Sequence, residues 1–355
     1  MSDYSTEFTS SIIDSSIPVQ TTISTRDINL VVKPIVLDFF LTFNLFVSGI
    51  IGILGISGNI INIIVFYKQG YEDSVNITLT ALAVSDIGAL VTVLMFNVME
   101  NPWFLSADLP ISQTDVSFIL AFYPHNYFIR VCGFITAFAS CERCLCVLVP
   151  LKVKQIVTKK VSLLVNLFIF IILLLDLFPV YYIVYLDWVF FPQLNRSVIA
   201  VNARQNPYNV FGISYFVSDL FVPYFTFFII IVCNAIIGIK LNTRSKWINS
   251  ISISHSSEDN TVSNKEKFVS NKEKKVVLML TVVSVIFIVC LIPQSGILTA
   301  VSQVSGLMVG GVYYKISLII YSISYVTETV SSSVNIVVYY KMSSRYKNTL
   351  RSIFF

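Results

Sequence analysis

Two arginines, Arg130 and Arg143, stand thirteen residues apart in one apolar stretch of the chain. On a helix rising 1.5 Å per residue they lie roughly 20 Å apart. A guanidinium keeps its charge, so each needs a counter-ion, water or a ligand group. Acids stand in other apolar stretches: Asp86, Asp219 and Glu328. Arg130 can pair with Glu328 or Asp219, or grip an anionic ligand group with two parallel hydrogen bonds. His125 lies about one and a half helical turns beyond Arg130. Tyr127 and Tyr325, with Tyr123, Tyr215 and Tyr321, can line the same cavity, although tyrosines this frequent more often serve as core or interfacial belt. Asp86, Asn59 and Asn335 can form a polar network. A structural hydrogen-bond hub and a functional site are both open readings of it. The histidines, His125 and His255, are isolated, and neither has metal-ligand spacing to a cysteine. We expect no metal, no cofactor and no enzyme activity.

The elements that must position these groups are seven long apolar runs, approximately 36–67, 76–99, 115–148, 160–186, 209–241, 275–301 and 312–340. Each supplies the roughly 20 residues that cross a bilayer as helix. Hydrophobic residues make up 55% of the 355 and charged residues 12%, too apolar for a soluble surface. The expected fold is all-α, a seven-transmembrane helix bundle with a short amphipathic eighth helix. The expected divisions are a disordered extracellular tail over 1–34, the bundle over 35–341, and the eighth helix with a short cytoplasmic tail over 342–355. With the N-terminus outside, Lys68, Lys152, Lys154, Lys159 and Lys160 fall in the first two inner loops, and Lys240, Arg244, Lys246 and the lysines of 265–275 surround the third. This bias orients the chain, and the basic inner face favours anionic lipids. No nucleic-acid partner is expected.

The loop 242–271 between the fifth and sixth runs is Ser- and Asn-rich and reads as flexible and phosphorylatable, although its repeated NKEK, seven residues apart, is compatible with helix. Of two Asn-x-Ser/Thr sequons, the one at Asn76 falls inside, and Asn195 lies in the outer loop after the fourth run as a glycosylation candidate. All six cysteines fall within or at the inner ends of runs, so no extracellular disulfide is expected.

A set of motifs, each on the appropriate run, resembles the rhodopsin-like (class A) G-protein-coupled receptors over about 36–352. They are Gly58-Asn59, Leu82-Ala83-Val84-Ser85-Asp86, Glu142-Arg143-Cys144 with Pro150-Leu151, Pro223, Cys290-Leu291-Ile292-Pro293, Asn335-Ile336-Val337-Val338-Tyr339, and Lys341 to Lys347. The variant combination resembles divergent invertebrate receptors, molluscan ones especially, of the peptide or chemosensory kind. The resemblance implies that Glu142, Arg143, Glu273, Asn335 and Tyr339 carry activation and G-protein coupling, with Glu273 locking Arg143 in the inactive state. The alternative for Glu273 is an ordinary solvated charge. The resemblance also implies sodium near Asp86, but Cys132 stands where a serine is common. The chain departs from the family elsewhere. The outer cysteine of the third helix is replaced by Phe118, the tryptophan of the sixth by Leu291 and the proline of the seventh by Ile336. His125 stands near where amine receptors carry aspartate, which disfavours an aminergic ligand.

These features lead to an expected function. The chain is expected in the plasma membrane as a multi-pass receptor with its N-terminus outside, passing the signal of an extracellular ligand to a heterotrimeric G protein. A peptide is the favoured ligand, bound by His125, Arg130, Asp219, Glu328, Tyr127 and Tyr325. A small chemosensory molecule is the alternative. A transporter or channel is the rival of another class, disfavoured because no internal repeat or Gly-broken helix pair is visible.

Overall fold

A computed structural model describes residues 34–192, 195–204, 208–254, 260–308 and 311–354. The expected disordered tail therefore lies outside the described residues, apart from its last residue. Seven long helices follow in order: α1 (Pro34–Gln69), α2 (Ser74–Met99), α3 (Gln113–Leu148), α4 (Lys159–Ile183), α5 (208–254), α6 (Asn260–Gln303) and α7 (Tyr314–Met342). The eighth, α8 (Ser344–Phe354), is short and amphipathic. Among the described residues six helices, α1 to α6, are long and apolar enough to cross a membrane. α7 has 29 residues but is more polar. Its Ser322, Ser324, Thr329, Ser331, Ser332 and Asn335 are buried. Its polarity thus faces the bundle, as expected where helices pack closely in lipid.

The order of packing is set by small residues and apolar faces. α7 lies against α1 and α6, α1 against α2, α2 against α3, and α3 against α4 and α5. A Cβ on Gly55 would collide with Ser333 and Leu90, and one on Gly88 with the Phe128 ring, so these glycines set the α1–α7 and α2–α3 distances. The core includes Leu79, Leu82, Ile135, Ile230, Met279, Phe287 and Leu291. α3 and α5 each contain one π-helical turn, Phe118–Phe122 and Phe216–Phe221, which re-aims the side chains around it. The first of these falls at Phe118, where the family's cysteine is absent.

Two features differ from the sequence expectation. α4 ends at Ile183, and the loop beyond it forms an antiparallel hairpin of β1 (Val184–Phe191) and β2 (Arg196–Ala203). The hairpin is anchored without a disulfide. Ile199 N–H donates to Pro110 O at 2.9 Å and Ser112 N–H to Ile199 O at 2.7 Å. Val201 N–H donates to Asp115 Oδ2 at 3.2 Å, and Arg196 pairs with Asp108. Val184 and Val201 pack with Ile119, Val180 and Ile183 beneath. The second difference lies in 242–271, expected to be a flexible loop. Helix α5 continues through Ser254 and α6 begins at Asn260, consistent with the seven-residue spacing of the NKEK repeat. One end of the bundle carries the hairpin. The other, which we term the basic end, carries Lys68, Lys159, Lys341 and Arg345.

Candidate functional site

Four buried polar centres lie along the bundle. The first, toward the hairpin end, surrounds Arg130. Its Nε lies 2.9 Å from Asp176 Oδ2 on α4, and its Nη1 donates to Asp219 Oδ1 on α5 at 3.2 Å. Ser218 donates to the other oxygen of Asp176. Asp219 was an expected partner and Glu328 was not confirmed as one: the second acid is Asp176. Asp176 is the one acid of the fourth apolar run. An acid at membrane depth signals a partner by itself, so the sequence carried this clue.

Glu328 instead belongs to a second centre, where it faces His125, with Oε2 2.9 Å from Nε2. The opposite ring nitrogen, Nδ1, is 3.0 Å from the Ala89 carbonyl. A carbonyl only accepts, so Nδ1 carries a hydrogen. The pair is then either imidazolium with carboxylate or neutral imidazole with carboxylic acid. In both forms it joins α2, α3 and α7 through one imidazole. Tyr325 stacks edge-on to His125 at 5.7 Å and to Phe96 at 5.4 Å. Tyr127 points elsewhere: its hydroxyl donates to Phe170 O on α4 at 2.9 Å. The structure thus separates the six expected ligand residues. Arg130 and Asp219 form one group, and His125, Glu328 and Tyr325 a second. Tyr127 is a helix-packing residue.

The third centre surrounds Asp86. Asn335 Nδ2 donates to Asp86 Oδ2 at 2.7 Å, and Cys132 Sγ donates to Oδ1 at 3.3 Å. Asn59 enters through α7: its Nδ2 donates to Ser332 O at 2.8 Å, and the Ser332 hydroxyl hydrogen-bonds Asp86. Asn59 Oδ1 accepts from Asn62, whose own Oδ1 accepts from Tyr346 of α8 at 2.6 Å. One polar chain therefore runs from Asp86 to the eighth helix. Tyr339 packs beside it, 5.5 Å from Phe66 and 5.7 Å from Tyr346.

The fourth centre is at the basic end. Glu142 does not pair with its neighbour Arg143. Its oxygens accept from Thr78 of α2 at 3.1 Å and Ser162 of α4 at 2.9 Å. Consecutive helical side chains diverge by about 100°, which explains the separation. Arg143 is buried and its Nε has no hydrogen-bond partner. The side chain of Glu273, the expected lock, lies outside the described side chains. Asn195 sits exposed at the hairpin turn with φ 49°.

Residues 58–339 match the family model of the seven-transmembrane receptor, rhodopsin family. The chain belongs to the rhodopsin family of seven-transmembrane receptors. It is accordingly a multi-pass membrane receptor and not an enzyme. A search of curated protein sequences found no match.

Proposed function

We propose that this receptor sits in the plasma membrane with the hairpin end outside and passes a ligand signal to a heterotrimeric G protein. The observation that carries the coupling reading is the state of Arg143. It is buried at the basic end of α3 with an unfilled donor, while the neighbouring acid is tied to α2 and α4. A buried cation with spare hydrogen-bonding capacity favours any conformation that brings it an acceptor. An outward shift of α6 would open that end to the C-terminal segment of a G-protein α subunit. A ligand drives the shift only by binding the open form better than the closed one. A peptide is the favoured ligand, because the polar groups of α3, α4, α5 and α7 are spread over two separate ionic centres, which a multi-point ligand can bridge.

The test is nucleotide exchange on a promiscuous G protein, with the receptor challenged by peptide and small-molecule collections. We expect peptide-driven exchange in the wild type and its loss in Arg143→Ala at matched surface level. Equal exchange in the mutant would remove Arg143 from the mechanism. Glycosidase treatment tests orientation. A mobility shift lost in Asn195→Gln is expected, and an unglycosylated Asn195 with a glycan at Asn76 would invert the orientation.

A further inference from the structure

The charges around Arg130 do not balance. One guanidinium faces two carboxylates. Asp176 is already engaged, with one oxygen in an ion contact 2.9 Å from Arg130 Nε, outside hydrogen-bond geometry, and the other accepting from Ser218. Asp219 accepts from Arg130 through Oδ1 and keeps 24% of its side chain accessible, against 8% for Arg130. The accessible group of this centre is therefore the acid, and the arginine lies behind it. This reverses the sequence expectation that Arg130 grips an anionic ligand.

A second observation comes from α6. Gln294 is buried at 5% exposure, yet neither its amide nitrogen nor its amide oxygen has a hydrogen-bond partner. A buried amide left unsatisfied on both sides is costly and calls for a missing partner. Tyr215 Oη of α5 donates to Leu298 O of α6 at 2.6 Å, and the Tyr224 and Thr299 hydroxyls lie 2.8 Å apart. The α5 segment that holds Asp219 therefore runs beside the α6 segment just beyond Gln294.

We infer that the ligand of this receptor presents a cationic group to Asp219 and an adjacent amide-like donor and acceptor to Gln294. An amine or guanidinium within a peptide has both features. A lone small amine has the first only. The inference deepens the proposed function, since it names the chemistry of the ligand that the receptor reading requires.

Binding is tested separately from signalling. The full chain in lipid nanodiscs is scanned for thermal unfolding with three probes: a pool of short C-amidated peptides containing arginine and lysine, the same pool with citrulline and acetyl-lysine instead, and tyramine as a free amine. The basic pool is expected to raise the midpoint, and the neutral pool is not. A larger shift with the basic peptides than with tyramine assigns the peptide source. A larger shift with tyramine overturns that source while keeping the cation. Asp219→Asn should weaken the response at least tenfold. Gln294→Leu removes an unsatisfied amide, so it should fold at least as well as wild type and yet bind the basic pool more weakly. Equal shifts with charged and neutral pools, no shift with any probe, or an unchanged response in both variants would overturn the inference. A shift without nucleotide exchange would leave the inference standing and count against G-protein coupling alone.

Discussion

His125 Nε2 and Glu328 Oε2 meet at 2.9 Å across α3 and α7, at 2% and 1% exposure. This is the most deeply sealed ionisable pair of the described residues. Removing one partner strands a buried polar group, which typically costs about 3–5 kcal/mol. His125→Ala and Glu328→Ala should each lower the unfolding midpoint strongly. His125→Leu combined with Glu328→Leu should recover much of the loss, because no stranded group remains. A double mutant destabilised by the sum of the two single losses would show that the two residues act independently.

Arg130 makes a distinct prediction through Asp176. Arg130→Ala strands two carboxylates and should destabilise the receptor by about 3 kcal/mol, and Asp176→Asn in the same chain should return part of it. Arg130→Gln and Glu328→Gln should instead be additive within about 0.5 kcal/mol, since they sit in separate centres. Strong coupling between Arg130 and Glu328 in a double-mutant cycle would contradict the observed pairing.

The difference between these two centres shows which features the sequence made legible. Helices α1 to α6 were readable because twenty apolar residues in a row have few other uses. α7 was readable despite Ser322, Thr329 and Asn335, because its apolar outer face persisted between them. The partners of Arg130 and His125 were not readable. Choosing among Asp176, Asp219 and Glu328 needs the rotation of four helices about their axes. Those rotations depend on close approaches such as Gly88 to Phe128 and on the π-helical turns Phe118–Phe122 and Phe216–Phe221. The hairpin had a local signal, the β-branched and apolar run Ser197-Val198-Ile199-Ala200-Val201. Its anchor on Pro110 and Ser112 is a tertiary fact with no local trace. The Asp86–Asn335 bond fell between these cases, because both residues sit in motifs whose order along the chain placed them together.

Glu100 offers a pH prediction at the hairpin end, just beyond α2. Burial pushes its carboxyl up to about 7, the hydrogen bond from Ser117 opposes that rise, and the nearby Asp115 adds to it. The folded state therefore holds the proton more tightly than the unfolded chain, whose carboxyl titrates near 4.5. Stability should fall as pH rises through the window from about 4.5 to about 7, by on the order of 3 kcal/mol. Glu100→Gln should flatten that part of the pH profile measured by thermal unfolding in nanodiscs. A profile of unchanged slope in Glu100→Gln would assign the pH dependence to other groups.

The last prediction concerns the ion-binding capacity of the Asp86 centre. Asp86 Oδ1 is met by the thiol of Cys132 at 3.3 Å, and Oδ2 by the amide of Asn335 at 2.7 Å. Sodium is a hard cation and selects oxygen ligands, whereas a thiol is a soft and weak one. The wild-type receptor should therefore show little sodium dependence in its unfolding midpoint. Cys132→Ser replaces the sulfur with a hydroxyl oxygen at the same position, and Ser85 lies beside it, 3.2 Å from the sulfur. That single change should add a sodium-dependent rise in the midpoint that potassium does not reproduce. Asp86→Asn in the Cys132→Ser background removes the anionic ligand and should abolish the rise. A strong sodium effect in the wild type would mean that the thiol does not limit the site. A Cys132→Ser receptor indifferent to sodium would show that the Asp86 centre is a hydrogen-bond hub and nothing more.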